Sequence, residues 1–212
     1  MRIHSKAIIR RACARYRLEI AMLQVGDTCH GFVVEAVDHI GEIESTTIRL
    51  RHEKTGAPVV ILTNEDDNKV FMVTFRTPVD TNTGVPHILE HSVLNGSRKF
   101  PLKEPFLELI KGSLNTFLNA FTYPDKTVYP VASRNHQDFA NLMDVYLDAV
   151  FHPLLSRQTF MQEGWHLKLA STEDDLDYSG VVYNEMQGAY SDPETVLADE
   201  LDKALFPDCT YG

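Results

Sequence analysis

The sequence predicts an α+β fold in which an antiparallel sheet is covered by a layer of helices. Short apolar runs joined by turn residues occupy the chain from Val25 to Phe75, and short connections between strands favour antiparallel pairing. Helical periodicity dominates after Gly84. No internal repeat is found. Strands followed by helices are typical of a two-layer α+β domain.

The strands are predicted from short runs of β-branched and aromatic residues. Turn signals at Gly41, at Gly56 and in the polar run after Asn64 separate the first four of them. A further strand pair is predicted around the turn Tyr123-Pro-Asp. The six predicted strands are Phe32–Val37, Thr46–His52, Pro58–Leu62, Val70–Phe75, Asn115–Phe121 and Thr127–Ala132.

Five helices are predicted from residue spacing and from capping residues. The longest, from His136 to Phe151, has an apolar stripe typical of a helix that faces a core, and Asn135 is its predicted N-cap. The others are a helix that starts at Pro86, Lys103–Lys111, a helix from its cap Ser179 to Tyr190, and a helix from Asp192-Pro to about Leu205.

The helix that starts at Pro86 contains the motif His-x-x-Glu-His, formed by His87, Glu90 and His91. Residues i and i+4 share one face of a helix, so both imidazoles can bind the same metal ion, with Glu90 close to that face. Two imidazoles with a nearby carboxylate suit a catalytic zinc that keeps one position open for water. The residue order is that of the inverzincins. The alternative interpretation is two surface histidines and a solvated glutamate on an ordinary helix.

Composition excludes several classes of function. The formal net charge of −10 argues against nucleic acid as the main partner. No run of eighteen apolar residues is present, so the sequence predicts no membrane span. Cys13, Cys29 and Cys209 are odd in number and widely spaced, and we interpret them as free thiols in a reducing compartment.

Residues 1–24 are predicted to be a basic N-terminal extension. Six arginines or lysines but only one glutamate occur within residues 1–22. An organellar transit peptide has this composition. The alternatives are a poorly ordered basic extension that stays attached and an upstream start codon.

Four segments resemble the pitrilysin family (M16) of zinc metallopeptidases, and the presequence protease branch with its falcilysin-type enzymes is the most similar. The resemblance covers about residues 25–212 and implies a pitrilysin/LuxS-like metallohydrolase fold, an antiparallel sheet with a layer of helices. It also implies unstructured peptide substrates, enclosed in a chamber made by two halves of a much longer chain. The four segments are Gly84-Val-Pro-His-Ile-Leu-Glu-His, Gly96-Ser-Arg-Lys-Phe-Pro, Leu118-Asn-Ala-Phe-Thr and Tyr183-Asn-Glu-Met.

The resemblance implies one Zn²⁺ per chain. Its ligands are implied to be His87 and His91 together with Glu185, the glutamate of the fourth segment. Glu90 is implied to be the catalytic base that activates the zinc-bound water. Without the resemblance, Glu185 is one of fourteen glutamates in the chain.

The resemblance also implies a substrate-binding segment. Asn119 and Ala120 match the family's segment whose backbone holds an extended substrate, although their spacing alone indicates only a strand. Other pitrilysins have a second acid seven residues before the distal ligand. This chain has Tyr178 there, so the supporting role is unassigned.

The predicted function is a zinc-dependent metalloendopeptidase domain that hydrolyses unstructured peptides. Residues 25–212 are predicted to be an incomplete N-terminal catalytic domain, so a predicted partner is the missing C-terminal half, and we expect the chain alone to be a weak or inactive peptidase. One alternative is a non-catalytic fragment or structural subunit that binds partners without turnover. Another is a processing peptidase that cuts one site. The predicted location is the bacterial cytoplasm, with the mitochondrial or plastid matrix as the alternative.

Overall fold

A computed structural model describes residues 22–103 and 105–211. These residues form two compact units, one ending at Asp66 and the other beginning at Asp67. Among the described residues, no helix is both long enough and apolar enough to cross a membrane. Residues 1–21 of the predicted basic extension, with Cys13 among them, lie outside the described residues. Cys29 and Cys209 are free thiols.

The first unit is an antiparallel sheet of four strands in the order β1-β2-β3-β4. Val34, Ile48 and Leu50 are its buried core, because these apolar side chains point to one face of the sheet. The three strands predicted for this unit are confirmed, and a two-residue strand precedes them. The strands are β1 Thr28–Cys29, β2 Phe32–Ile40, β3 Ser45–His52 and β4 Pro58–Thr63.

The sheet of the second unit is built around a central strand. This strand, β8, pairs antiparallel with β5 on one side and with β6 and β7 on the other. Strand β8 is flanked on both edges and nearly all of its residues are buried, the polar Thr127 and Ser133 included. The strands are β5 Lys69–Arg76, β6 Asn115–Leu118, β7 Phe121–Thr122 and β8 Lys126–Ser133.

The prediction of a single strand over Asn115–Phe121 was wrong at Asn119 and Ala120. There the strand is broken, and β6 and β7 are separate. The side-chain oxygen of Asn119 accepts a 2.9 Å hydrogen bond from the backbone N–H of Ala120. Asparagine side chains that bond nearby backbone groups compete in this way with strand pairing.

Six helices and a short hairpin complete the described part of the second unit. The helices are α1 Val85–Val93, α2 Pro105–Gly112, α3 His136–Phe151, α4 Arg157–Glu163, α5 Val181–Ala189 and α6 Pro193–Leu205. The hairpin pairs β9 His166–Lys168 with β10 Asp177–Ser179.

The core of the second unit joins α1 and α3 to β8. Val93 from α1, Tyr129 and Val131 from β8, and Leu142 and Tyr146 from α3 form one buried cluster. Fully burying a large aliphatic or aromatic side chain contributes roughly 1.5–3 kcal/mol. The core therefore fixes α1, the helix that carries the histidine motif, against the sheet.

The predicted cap Asn135 is confirmed, since it accepts hydrogen bonds from two backbone N–H groups in the first turn of α3. Asp192, where the last helix was predicted to start, also accepts one in the first turn of α6. The prediction that Ser179 caps a helix was wrong, since Ser179 ends β10 and α5 follows Gly180 without a side-chain cap.

Two further boundaries differ from the sequence prediction. Helix α2 begins at Pro105, not at Lys103, because proline suits a first helical position. Helix α4 and the β9–β10 hairpin were not predicted at all. Their elements are seven and three residues long, too short for periodicity to identify.

Helix α5 is placed by a close contact between two glycines. A Cβ atom on Gly180 would lie 2.1 Å from the carbonyl oxygen of Gly164, a separation that real Cβ contacts do not show. Gly164 directly follows α4, and Gly180 directly precedes α5. The contact therefore sets the start of α5 against the end of α4.

Gly180→Ala is expected to destabilise the second unit by about 1–3 kcal/mol or more, because the added methyl must separate two backbone segments. Gly188→Ala is the matched control. Gly188 lies within α5, where an added Cβ meets nothing within 4 Å, and alanine there should stabilise the helix by up to about 1 kcal/mol. Urea denaturation measures both changes. Equal stability of the two variants would show that the crossing tolerates a Cβ.

Candidate metal centre

Helix α1 presents the two histidines of the motif side by side. Its N-cap is Gly84, in a left-handed conformation with a φ of 69°, and Pro86 lies in its first turn, where a backbone N–H is not needed. His87 and His91 are one turn apart, with ring centroids 5.0 Å apart. Their side chains are 25% and 22% exposed, so both rings are partly accessible.

Glu185 on α5 meets both imidazoles. Its Oε2 atom lies 3.5 Å from the Nε2 atom of His87 and 3.5 Å from the Nε2 atom of His91. One ligand atom from each of the three residues lies within 4.8 Å of the others. The fold thus brings together the three residues predicted to bind the metal, and their role as ligands remains a prediction.

Two of the three donor–donor distances match those around a zinc ion. Zinc bonds of about 2.0–2.2 Å at tetrahedral angles place neighbouring donors roughly 3.3–3.6 Å apart. Both Nε2–Oε2 distances are 3.5 Å. Two imidazoles and one carboxylate form a known catalytic zinc set, in which the fourth position stays open.

A second carboxylate, Glu163, contacts the other ring nitrogen of His91. Its Oε2 atom lies 3.2 Å from Nδ1 of His91, and its Oε1 atom accepts a 2.9 Å hydrogen bond from the side-chain amide of Gln162. Glu163 is 5% exposed and ends α4. The hydrogen bond with Glu163 raises the pKa of His91, and the same bond lowers the pKa of the Glu163 carboxyl.

Glu90, the predicted base, is buried beside the predicted ligands. It is 6% exposed, and the hydroxyl of Thr122 donates a 2.6 Å hydrogen bond to its Oε2 atom. Thr122 belongs to β7, so this hydrogen bond joins the edge strand of the sheet to Glu90 on α1. A carboxylate held by one neutral donor keeps free lone pairs that can accept a proton.

An open cleft of about 680 Å³ contains this cluster. The break between β6 and β7 lines it, so Asn119 and Ala120 share the cleft with the motif residues. The carbonyl oxygen of Asn119 accepts a 3.3 Å hydrogen bond from the hydroxyl of Tyr146, which belongs to the buried core. This hydrogen bond connects the predicted substrate-binding segment to the core, and the binding role of the segment remains a prediction.

Sequence reasoning missed Glu163 and Thr122. The supporting role is unassigned in the sequence because Tyr178 stands where other pitrilysins have an acid, and its ring lies 5.6 Å from that of Trp165. The carboxylate beside His91 comes from α4. Helix α4 has seven residues and β7 has two, and neither gives a periodic signal. No motif marks Glu163, and Thr122 ends the third of the four segments that resemble the family, where the resemblance assigns it no role.

The motif on α1 has the residue order of the inverzincin class of metallohydrolases. A comparison with solved structures agrees on the fold. The crystal structure of pitrilysin matches with a TM-score of 0.52, at 21% identity, over 60% of this chain and 14% of that chain.

A family model described as insulinase (peptidase family M16) matches residues 76–208. The chain therefore belongs to peptidase family M16. This confirms the resemblance inferred from the motifs.

Similar curated proteins confirm the presequence protease branch. The chain is 58% identical over 184 residues to presequence protease 1, chloroplastic/mitochondrial, of Arabidopsis thaliana, covering 86% of this chain and 17% of that protein. It is also 58% identical over 184 residues to protein HypA of Clostridium perfringens (strain 13 / Type A), and the match covers 86% of this chain and 19% of that protein. The mitochondrial presequence protease of Xenopus tropicalis is 47% identical over 190 residues, and the match covers 88% of this chain and 18% of that protein. The chain spans less than a fifth of the length of these relatives.

We expect the folded protein to bind one zinc ion per chain. His87→Ala should weaken zinc binding by more than about 100-fold. Removing a group that only orients a ligand weakens metal binding about 10–100-fold, and loss of a residue that contacts the metal should weaken it more. His39→Ala, which removes an exposed histidine of β2, should leave binding unchanged. Elemental analysis and competition with a chromogenic chelator measure this. Equal zinc affinity in the two variants would contradict the assignment of His87.

Proposed function

We propose that this chain carries the catalytic site of a zinc-dependent endopeptidase that hydrolyses unstructured peptides. The proposal is carried by the convergence of Glu185 with His87 and His91, while Glu90 is buried beside them and lines the same open cleft. Membership of a peptidase family supports the type of reaction. A zinc ion bound by these ligands supplies a Lewis acid that polarises the scissile carbonyl and lowers the pKa of water towards about 7.

Glu90 acts as the general base in this proposal. It precedes His91 on α1 and lines the cleft in which the substrate binds. Thr122 donates to its Oε2 atom, which leaves the carboxylate free lone pairs to take the proton from the attacking water. The same carboxyl then gives that proton to the leaving amine. The low exposure of Glu90 keeps bulk water from competing for the proton.

The edge of the second sheet provides a place for an extended substrate. β6 and β7 both pair with β8, and no other described strand pairs with them. An extended peptide can bind such an edge through backbone hydrogen bonds, which place little demand on its sequence. Phe117, Phe121 and Tyr123 are exposed along the edge, with neighbouring ring centroids 6.3 Å apart, and offer apolar contacts to side chains. Peptides without a fold of their own satisfy these requirements.

Further domains form part of the proposal. The similar proteins are several times longer than the region that matches them. We propose that a C-terminal half closes over the cleft and makes a chamber, because closure excludes water and completes a catalytic site. The names of the relatives refer to mitochondria and chloroplasts, and one relative is bacterial. For this chain we propose the bacterial cytoplasm, with an organelle matrix as the alternative.

Glu90→Gln should retain zinc and lower peptide hydrolysis by about 10²–10⁴-fold, the usual contribution of a general base. Glu185→Gln should instead lose much of the metal, because an amide is a poorer ligand than a carboxylate. A quenched fluorescent peptide without secondary structure, used in single-turnover assays with protein in excess, detects even slow cleavage. Metal analysis of the same samples separates the two roles.

The same assay distinguishes a peptidase from a non-catalytic subunit. If the wild-type protein, in excess over substrate, binds zinc and peptide but cleaves nothing even after the C-terminal half of a similar presequence protease is added, the non-catalytic alternative is correct for this chain. Equal metal loss in Glu90→Gln and Glu185→Gln would contradict the division between base and ligand.

The mode of substrate binding can be tested with N-methylated peptides. Successive amides of a strand point in opposite directions, so only alternate N–H groups face the edge formed by β6 and β7. Methylating one alternate set should weaken binding about 2–10-fold for each hydrogen bond lost, and methylating the other set should have a smaller effect. Fluorescence anisotropy with zinc-loaded Glu90→Gln measures this. Equal effects of the two sets would exclude strand addition.

A further inference from the structure

The two histidines of the motif differ in the hydrogen-bond partners of their Nδ1 atoms. The Nε2 atoms of both rings face Glu185. The Nδ1 atom of His91 also contacts Glu163 at 3.2 Å. Within the described residues, the Nδ1 atom of His87 has no hydrogen-bond partner.

A carboxylate on Nδ1 selects one form of a neutral imidazole. An ionised carboxylate only accepts hydrogen bonds, so the ring nitrogen that faces it must carry a hydrogen. In neutral His91 this places the hydrogen on Nδ1 and the free lone pair on Nε2, the atom that faces Glu185. A metal ion requires such a lone pair.

Glu163 is itself held in place. It is 5% exposed, and the side chain of Gln162 donates to its Oε1 atom, so the Oε2 atom stays directed at His91. The next residue, Gly164, makes the close contact with Gly180 from which α5 starts. The same short segment, 162–164, thus orients His91 and positions the helix that carries Glu185.

We propose that Glu163 is a positioning residue that holds His91 as the pre-oriented ligand of the metal site. This inference rests on the proposed zinc site. The competing explanation is that Glu163 and His91 form an ion pair that only stabilises the fold.

The first test reads the histidine tautomers without metal. In ¹⁵N-labelled apo protein, long-range ¹H–¹⁵N spectra distinguish hydrogen on Nδ1 from hydrogen on Nε2. They are recorded at rising pH until the His91 signals stop changing, so that its ring is neutral. We expect His91 to carry its hydrogen on Nδ1 in the wild-type protein. Glu163→Met, which has similar length but no acceptor for this hydrogen bond, should produce a mixture of tautomers. Glu163→Gln, which keeps an acceptor oxygen, should lie between them.

The second test measures zinc affinity with a chromogenic chelator. Removing a carboxylate that orients a ligating histidine typically weakens metal binding about 10–100-fold, which we expect for Glu163→Met, with a smaller loss for Glu163→Gln. Glu173→Gln removes the same charge from an exposed position and should leave the affinity unchanged. Circular dichroism verifies folding, and if Glu163→Met does not fold, the nearly isosteric Glu163→Gln decides.

The outcomes separate this inference from the proposed function. An unchanged His91 tautomer, or zinc affinity within twofold of wild type in a folded Glu163 variant, would leave Glu163 a structural ion pair and overturn the inference. The zinc site would stand in that case. A wild-type protein that binds no zinc would overturn both, and metal analysis alone reveals that result.

Discussion

The candidate site depends on holding three carboxylates next to two imidazoles. Like charges repel, and the repulsion grows where burial removes water. Glu90 and Glu163 are nevertheless buried. Glu90 accepts a hydrogen bond from Thr122, and Glu163 shares one with His91. Glu185 keeps about half of its side chain exposed. A divalent cation at the point where the Nε2 atoms face Glu185 offsets this negative charge, so the charge balance favours a cation site.

The site is assembled from four elements, α1, β7, α4 and α5, which pack on the sheet core or on one another. Helix α1 is held by the burial of Val93 in the core. Thr122 is held by the pairing of β7 with β8, and the start of α5 by the contact of Gly180 with Gly164. Because every one of these elements packs on another, a change in the core would also displace the groups that surround the candidate metal position.

The degree of burial divides the site into a rigid and an accessible part. The proposed base Glu90 and the carboxylate Glu163 are buried, whereas Glu185 lines the open cleft. Beside it lies the edge of β6 and β7, which no other described strand covers. Groups that transfer or orient protons need fixed positions, since catalysis is sensitive to small displacements. Substrate and metal must enter from solvent. The arrangement meets both needs, and it agrees with the membership of the chain in peptidase family M16.

The sequence by itself determined the elements whose signal is local. Strands β2 to β5, the motif helix α1 and the capped helices α3 and α6 follow from periodicity and caps, which depend on residues close along the chain. The motif identified His87, Glu90 and His91, and the family resemblance identified Glu185, with which the two histidines converge.

Only the tertiary structure decided which groups support these residues. Glu163 reaches His91 across 72 positions of sequence, and Thr122 reaches Glu90 across 32. Each is carried by an element too short to show a period, and the Gly164–Gly180 crossing that aligns α5 is a contact between backbones. Such contacts depend on how distant segments pack in space, and local patterns in the sequence do not encode them.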